Sequence, residues 1–161
     1  FDRTTSTISS KKRSLDSPQA FARSLLERLS AFLKVPDQNG QLGAAECLQS
    51  IFGPVDHQSG TSHVQVRAFT NTVTMTPASR DLLREHVPFL QRKLNQALWD
   101  QHTIVGAALC NVWSCLLTNF PEECQSWTVR GRLLDCLLHA LNTPGEDIHW
   151  RFRVAALRVR T

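Results

Sequence analysis

The run from Thr103 to Leu117, TIVGAALCNVWSCLL, limits the fold more than any other part of the sequence. It is long enough for a helix and apolar on nearly every side, whereas a surface helix keeps a polar face. We therefore expect a helix buried between other helices, at the core of the domain. No stretch of the chain approaches the roughly 20 apolar residues of a membrane span.

The segments before this run also carry apolar residues at helical spacing. Ser17-Pro18 combines an N-cap acceptor with a proline at the first helical position and so predicts a helix start. The expected inward stripe of that helix is Phe21, Leu25, Leu29, Phe32 and Leu33. A second helix is predicted from about Leu42 to Phe52, where Gly53-Pro54 ends it.

Thr76-Pro77 repeats the cap-and-proline start, and helical spacing continues to Trp99. Because a proline disfavours the α conformation in the residue before it, Pro88 predicts a short helix ending near His86 and a longer one from Val87. Further helices are predicted from Pro121, from Arg130 to Asn142 and from about Ile148 to Arg160. The last of these is expected to turn Phe152, Ala155, Ala156 and Val159 inward.

Residues 63–76, HVQVRAFTNTVTMT, fit neither period cleanly. Their β-branched residues favour a strand, whereas their place in the repeat pattern described below favours a helix. Helix is our prediction, and strand stays open as the alternative.

The order of these elements resembles that of armadillo and HEAT repeats, in which two or three helices recur with a period of about 40 residues. Residues 79–119 resemble one unit and residues 121–161 the next, with Ala107-Ala108 and Ala155-Ala156 in matching places. Residues 63–76 fall where the third helix of a preceding unit would lie. The resemblance implies an all-α, right-handed helical solenoid of about three units.

Two regions of different composition are expected along the chain. Residues 1–16 are rich in Ser, Thr and charge and predict a flexible lead-in, whereas residues 17–161 form the helical repeat domain. The start at Phe1 and the abrupt end after an apolar and basic run suggest an excerpt of a longer chain. The five cysteines form no CxxC pair, which favours reduced core thiols and a cytoplasmic or nuclear location over a disulfide or zinc framework.

The sequence contains none of the common phosphate, dinucleotide, zinc-protease or esterase motifs, so we expect no enzyme activity, cofactor, metal site or small-molecule substrate. Cys136 and His139 form an i, i+3 pair that a thiolate nucleophile would need. On an apolar helix, however, such a pair is more often a core cysteine beside a surface histidine.

Solenoids bind partners on a long concave surface lined by the last helix of each unit. The predicted function is therefore a protein-interaction scaffold. Its candidate contact residues are Asn111, Trp113, Trp150, Arg151 and Arg153, although Trp113 is also suited to the core and the arginines to a solvated surface. The arginines and the net charge of +4 favour an acidic protein partner. A nucleic-acid-binding solenoid and a regulatory helical segment of a larger enzyme are the alternatives.

Overall fold

The computed structural model describes residues 17–53, 76–100, 104–142 and 150–159, and every regular element in those ranges is α-helical. The helices are α1 (Pro18–Phe32), α2 (Gln38–Phe52), α3 (Pro77–Arg84), α4 (Val87–Asp100), α5 (Ile104–Asn119), α6 (Pro121–Cys124), α7 (Trp127–Asn142) and α8 (Trp150–Arg158). The all-α class predicted from the sequence is confirmed. None of these described helices combines the length and the apolarity that crossing a membrane requires.

Side-chain caps fix where three of the helices begin. The Ser17 hydroxyl accepts a hydrogen bond from the Ala20 amide at 3.1 Å, and the Thr76 hydroxyl accepts one from the Ser79 amide at 3.2 Å. Each of these caps precedes a proline at the start of its helix, as predicted. The Asp37 carboxylate accepts hydrogen bonds from two amides of the next turn. This third cap explains why α2 begins at Gln38, four residues before the predicted start.

Helix α5 lies at the centre of the described structure, as the sequence predicts. It contacts α2, α4, α6 and α8, and its apolar composition matches this environment on several sides. Trp113, Leu109 and Leu116 have no exposed surface. A polar substitution at any of these positions would therefore place an unpaired group in the core.

The other contacts define three pairs of described helices and connect these pairs to one another. Helix α1 packs on α2, α4 on α5 and α7 on α8. In addition, α4 contacts both α1 and α7, and α5 contacts both α2 and α8. The short helices α3 and α6 precede the second and third pairs.

The inward face of α1 differs from the prediction. Phe21 and Phe32, assigned to the buried stripe, are 59% and 52% exposed. The buried positions are Ala22, Leu26, Ser30 and Leu33, which have nearly the same helical spacing. The small side chains of Ala22 and Ser30 reduce the apolar signal of this face, so the two phenylalanines dominated the sequence pattern.

Asn119 joins the end of α5 to the end of α2. Its side-chain Nδ2 donates a hydrogen bond to the Phe52 carbonyl at 2.6 Å, which satisfies an acceptor that the helix end leaves open. Next to it, Gly53 has a φ of 93° and ends α2. The Asn119 amide lies 3.0 Å from where a Cβ atom on Gly53 would be, so glycine serves both the backbone angle and the close approach.

Several predictions fall on residues that the structure does not describe. The flexible lead-in of residues 1–16 lies outside the described residues, and so does the choice between helix and strand for residues 63–75. Among the described helices that come before α4 in the chain, α2 is the one that packs on α5.

Candidate functional site

A groove of about 540 Å³ lies on the surface where α2, α5 and α8 meet. Each helix contributes one stripe of residues spaced three or four positions apart, which is the spacing of a single helix face. The stripe of α2 is Leu42, Glu46 and Gln49; that of α5 is Ile104, Ala107, Ala108 and Asn111; that of α8 is Arg151, Val154, Ala155 and Arg158.

The middle of the groove is uncharged, and α5 presents small side chains there. Ala107 is partly exposed and packs against the apolar core, and Ala108 beneath it is 8% exposed. Ile104 and Asn111 flank the two alanines at the ends of the stripe. Small residues let a ligand backbone approach the helix closely, and the Asn111 amide offers both a donor and an acceptor.

The edges of the groove carry charge. Arg151 and Arg158 lie on the α8 side and are exposed, and Glu46 lies exposed on the α2 side. Leu42 and Gln49 complete the α2 edge with one apolar and one amide side chain. Together these side chains can bind a segment by apolar contact, amide hydrogen bonds and charge pairing.

Two of the predicted contact residues lie in this groove. Asn111 comes from α5 and Arg151 from α8, so the structure brings together residues that are 40 positions apart. The side chain of Trp150, another predicted contact residue, is not among those that the structure describes.

The other two predicted residues lie outside the groove, and for Trp113 the prediction of partner contact is wrong. Trp113 is 0% exposed, so a partner cannot contact it in this structure. Arg153 is exposed but does not line the groove. Successive positions on an α-helix are about 100° apart, so Arg151 and Arg153 point in nearly opposite directions and cannot serve the same face.

Sequence reasoning missed the α2 edge altogether. Leu42, Glu46 and Gln49 form an i, i+4, i+7 stripe beside the buried stripe of the same helix. That spacing is visible in the sequence, but only the packing of α2 on α5 shows that this stripe faces the same groove as α8. Arg158 on α8 is likewise absent from the contact residues predicted from the sequence.

The cysteines of the described core are placed for packing. Burial raises the pKa of the Cys110 thiol to about 12. Burial also raises the pKa of Cys136, and the negative charge of Asp135 acts in the same direction. Because the thiolate is the reactive species, this shift is opposite to that of an activated nucleophile.

The Cys136–His139 pair is also not arranged as a nucleophile and its base. The Cys136 thiol donates to the Asn95 carbonyl at 3.6 Å. The His139 ring stacks on Trp99 with the ring centroids 4.0 Å apart and an interplanar angle of 4°. Both side chains thus join α7 to α4. Within the described ranges, no three His, Cys, Asp or Glu side chains form a group able to hold a metal ion.

Comparison of the chain with protein-family models, with curated proteins and with solved structures finds no match.

Proposed function

We propose that the chain is a protein-interaction module of the armadillo or HEAT type, and that it binds a segment of a partner protein in the groove between α2, α5 and α8. Three helix pairs, joined through contacts of α4 and α5 with the pairs on either side, support a right-handed solenoid of about three units. In such a solenoid, α2, α5 and α8 are the last helices of their units and form the concave surface.

The main support for the proposal is that faces of three helices meet in one groove. Residues from α2, α5 and α8 line one continuous groove, although none of these helices is adjacent to another in sequence. The uncharged floor around Ala107 suits the backbone and small side chains of a peptide, and the charged edges suit specific recognition. A deep enclosed pocket, as enzymes use for small substrates, is not needed for this function.

The role we propose is non-catalytic and independent of a cofactor or metal. The raised pKa values of Cys110, Cys124 and Cys136 support a packing role for these thiols rather than nucleophilic catalysis, because burial keeps them protonated. Four of the five cysteines are buried without a disulfide, which suits the reducing cytoplasm or nucleus. We propose that compartment as the site of the interaction.

The proposal is tested with the whole chain and a random-peptide display library. Enriched peptides are synthesised with a fluorescent label, and their Kd is measured by anisotropy against wild type, Ala107→Trp and Ala31→Trp. Ala107→Trp fills the middle of the groove, whereas Ala31 is an exposed alanine on α1 and serves as the matched control. Circular dichroism verifies that all three proteins are folded.

The expected result is a Kd raised at least ~tenfold by Ala107→Trp and left unchanged by Ala31→Trp. Peptides that bind wild type and Ala107→Trp equally would show that the groove is not the binding surface. Preferential, steeply salt-dependent binding of RNA or DNA in a parallel titration would instead favour a nucleic-acid-binding solenoid.

A further inference from the structure

The groove has opposite charges on its two edges. Arg151 and Arg158 project from α8, whereas Glu46 projects from α2 on the other side of α5. No ion pair among the described residues involves Glu46 or Arg158. Glu46 and Arg158 both line the groove, and they do not neutralise each other.

The distance between the edges follows from helix packing. Helix α5 contacts both α2 and α8, and packed helices have axes about 8–10 Å apart. The axes of α2 and α8 are therefore up to about 20 Å apart. An extended chain advances about 3.3 Å per residue, so about five residues span the floor between the charged edges.

The polar groups in the groove favour an extended ligand over a helical one. Asn111 on α5 and Gln49 on α2 both present side-chain amides. An extended segment leaves its own N–H and C=O groups open to pair with such amides, whereas a helix satisfies these groups internally. The alanines of the floor leave room for the backbone to approach.

We propose that the groove recognises an extended segment of a partner protein with a bipolar charge pattern: Asp or Glu at one end and Lys or Arg at the other. About five uncharged residues, small or aliphatic, separate the two ends. The acidic end pairs with Arg158, the basic end pairs with Glu46, and the segment crosses α5 between them. This inference rests on the proposed function and adds the chemistry and direction of the ligand.

The bipolar charge pattern distinguishes the proposed ligand from a purely acidic segment. A segment with carboxylates along its whole length would place one of them next to Glu46, where like charges repel. A purely basic segment would meet the same repulsion at Arg151 and Arg158. Discrimination therefore comes from both edges of the groove together and not from the net charge of the chain.

The test uses peptides selected on the wild-type protein in the display experiment, measured at low salt against charge-reversed variants. The variants are Glu46→Arg, Arg158→Glu and the double reversal, with Arg132→Glu on exposed α7 surface as the control. Each single reversal is expected to raise the Kd about fivefold. A peptide with its acidic and basic ends exchanged is expected to bind the double reversal within about twofold of the Kd of the original pair, because each end then again meets the opposite charge.

The same library selected on the Arg158→Glu protein provides a second readout. Wild type is expected to enrich bipolar sequences, and Arg158→Glu is expected to lose the preference for the acidic end. The inference is overturned if peptides sensitive to Ala107→Trp have no charge pattern, or if the double reversal binds the end-exchanged peptide no better than the original peptide. In that case the proposed function stands, whereas peptides insensitive to Ala107→Trp would overturn both.

Discussion

The cysteines illustrate how a residue's environment decides its chemistry. Cys110, Cys115, Cys124 and Cys136 are buried, and Cys47 is exposed on α2. Burial is the main reason that the pKa of Cys124 is raised; a hydrogen bond from Gln91 opposes that shift, and the negative charge of Glu123 adds to it. A buried protonated thiol reacts only when the protein opens, because reagents need access to the thiolate.

We predict that one thiol per chain reacts quickly with a disulfide reagent such as DTNB in the native protein at mildly alkaline pH. Cys47 supplies this thiol because it is the exposed one, and all five react after unfolding in guanidinium. The absorbance of the released product measures both numbers. Cys47→Ala removes the fast reaction, so a fast phase that persists in this variant would contradict the assigned burial.

At the level of single residues, the sequence predicts burial better than it predicts which side chains line the groove. Trp113 lies in the most apolar helix, and its full burial follows from that pattern. The direction of Arg153 relative to Arg151 also follows from helical geometry. Which arginine faces a neighbouring helix depends on where α8 packs, and no local pattern contains that information.

At the level of the helices, Asn119 joins the end of α5 to the end of α2. The hydrogen bond from Asn119 to the Phe52 carbonyl connects residues 67 positions apart in the chain. Close to it, the rings of Phe52 and Phe120 pack edge to face with the centroids 5.7 Å apart. One polar and one aromatic contact thus fix α2 against the end of α5.

We predict that Asn119→Ala lowers the free energy of unfolding by about 1–2 kcal/mol, because it leaves the Phe52 carbonyl without its partner. Asn142→Ala is the matched control, since Asn142 also ends a helix but is exposed. Its expected change is within about 0.5 kcal/mol. Urea unfolding followed by circular dichroism measures both, and equal losses would show that the hydrogen bond is not responsible.

Local chemistry predicted the helices themselves well. Capping hydroxyls followed by proline located the starts of α1 and α3, and Pro88 located the boundary between α3 and α4. The start of α2 was placed too late because the stretch from Pro36 to Gly40 resembles a break. The Asp37 carboxylate instead caps the helix there, and Gly40 is held within its first turn.

The whole molecule depends on α5 more than on any other described helix. Its contacts with α2, α4, α6 and α8 place one continuous apolar core between all three helix pairs. Elements that share a core lose their burial together, which favours all-or-none unfolding. The pairs α1–α2 and α7–α8 are therefore not expected to unfold independently.

We predict a single unfolding transition in urea with the same midpoint by far-ultraviolet circular dichroism and by tryptophan fluorescence. The first signal reports all helices, and the second includes Trp113 in the core of α5. Separated midpoints would indicate that the helix pairs unfold one at a time, as weakly coupled repeats do.

The groove is a feature of the whole molecule and could not be predicted from the sequence, because its three stripes come from helices far apart in the chain. Each stripe has an ordinary helical spacing, and only the packing of α2 and α8 on α5 brings them together. The all-α class and the buried central helix follow from composition and periodicity. The positions of the charges around the groove follow from tertiary packing alone.

The groove and the core use largely separate residues of the same three helices. On α8, Phe152 and Ala156 are buried, whereas Arg151 and Arg158 are exposed at the groove. On α2, Leu48 is buried while Glu46 is exposed. Under the proposed function, a few surface substitutions would change which ligand the groove binds, with little effect on the positions that hold the helices together. Related chains with the same helices and different groove residues would be the natural products of such divergence.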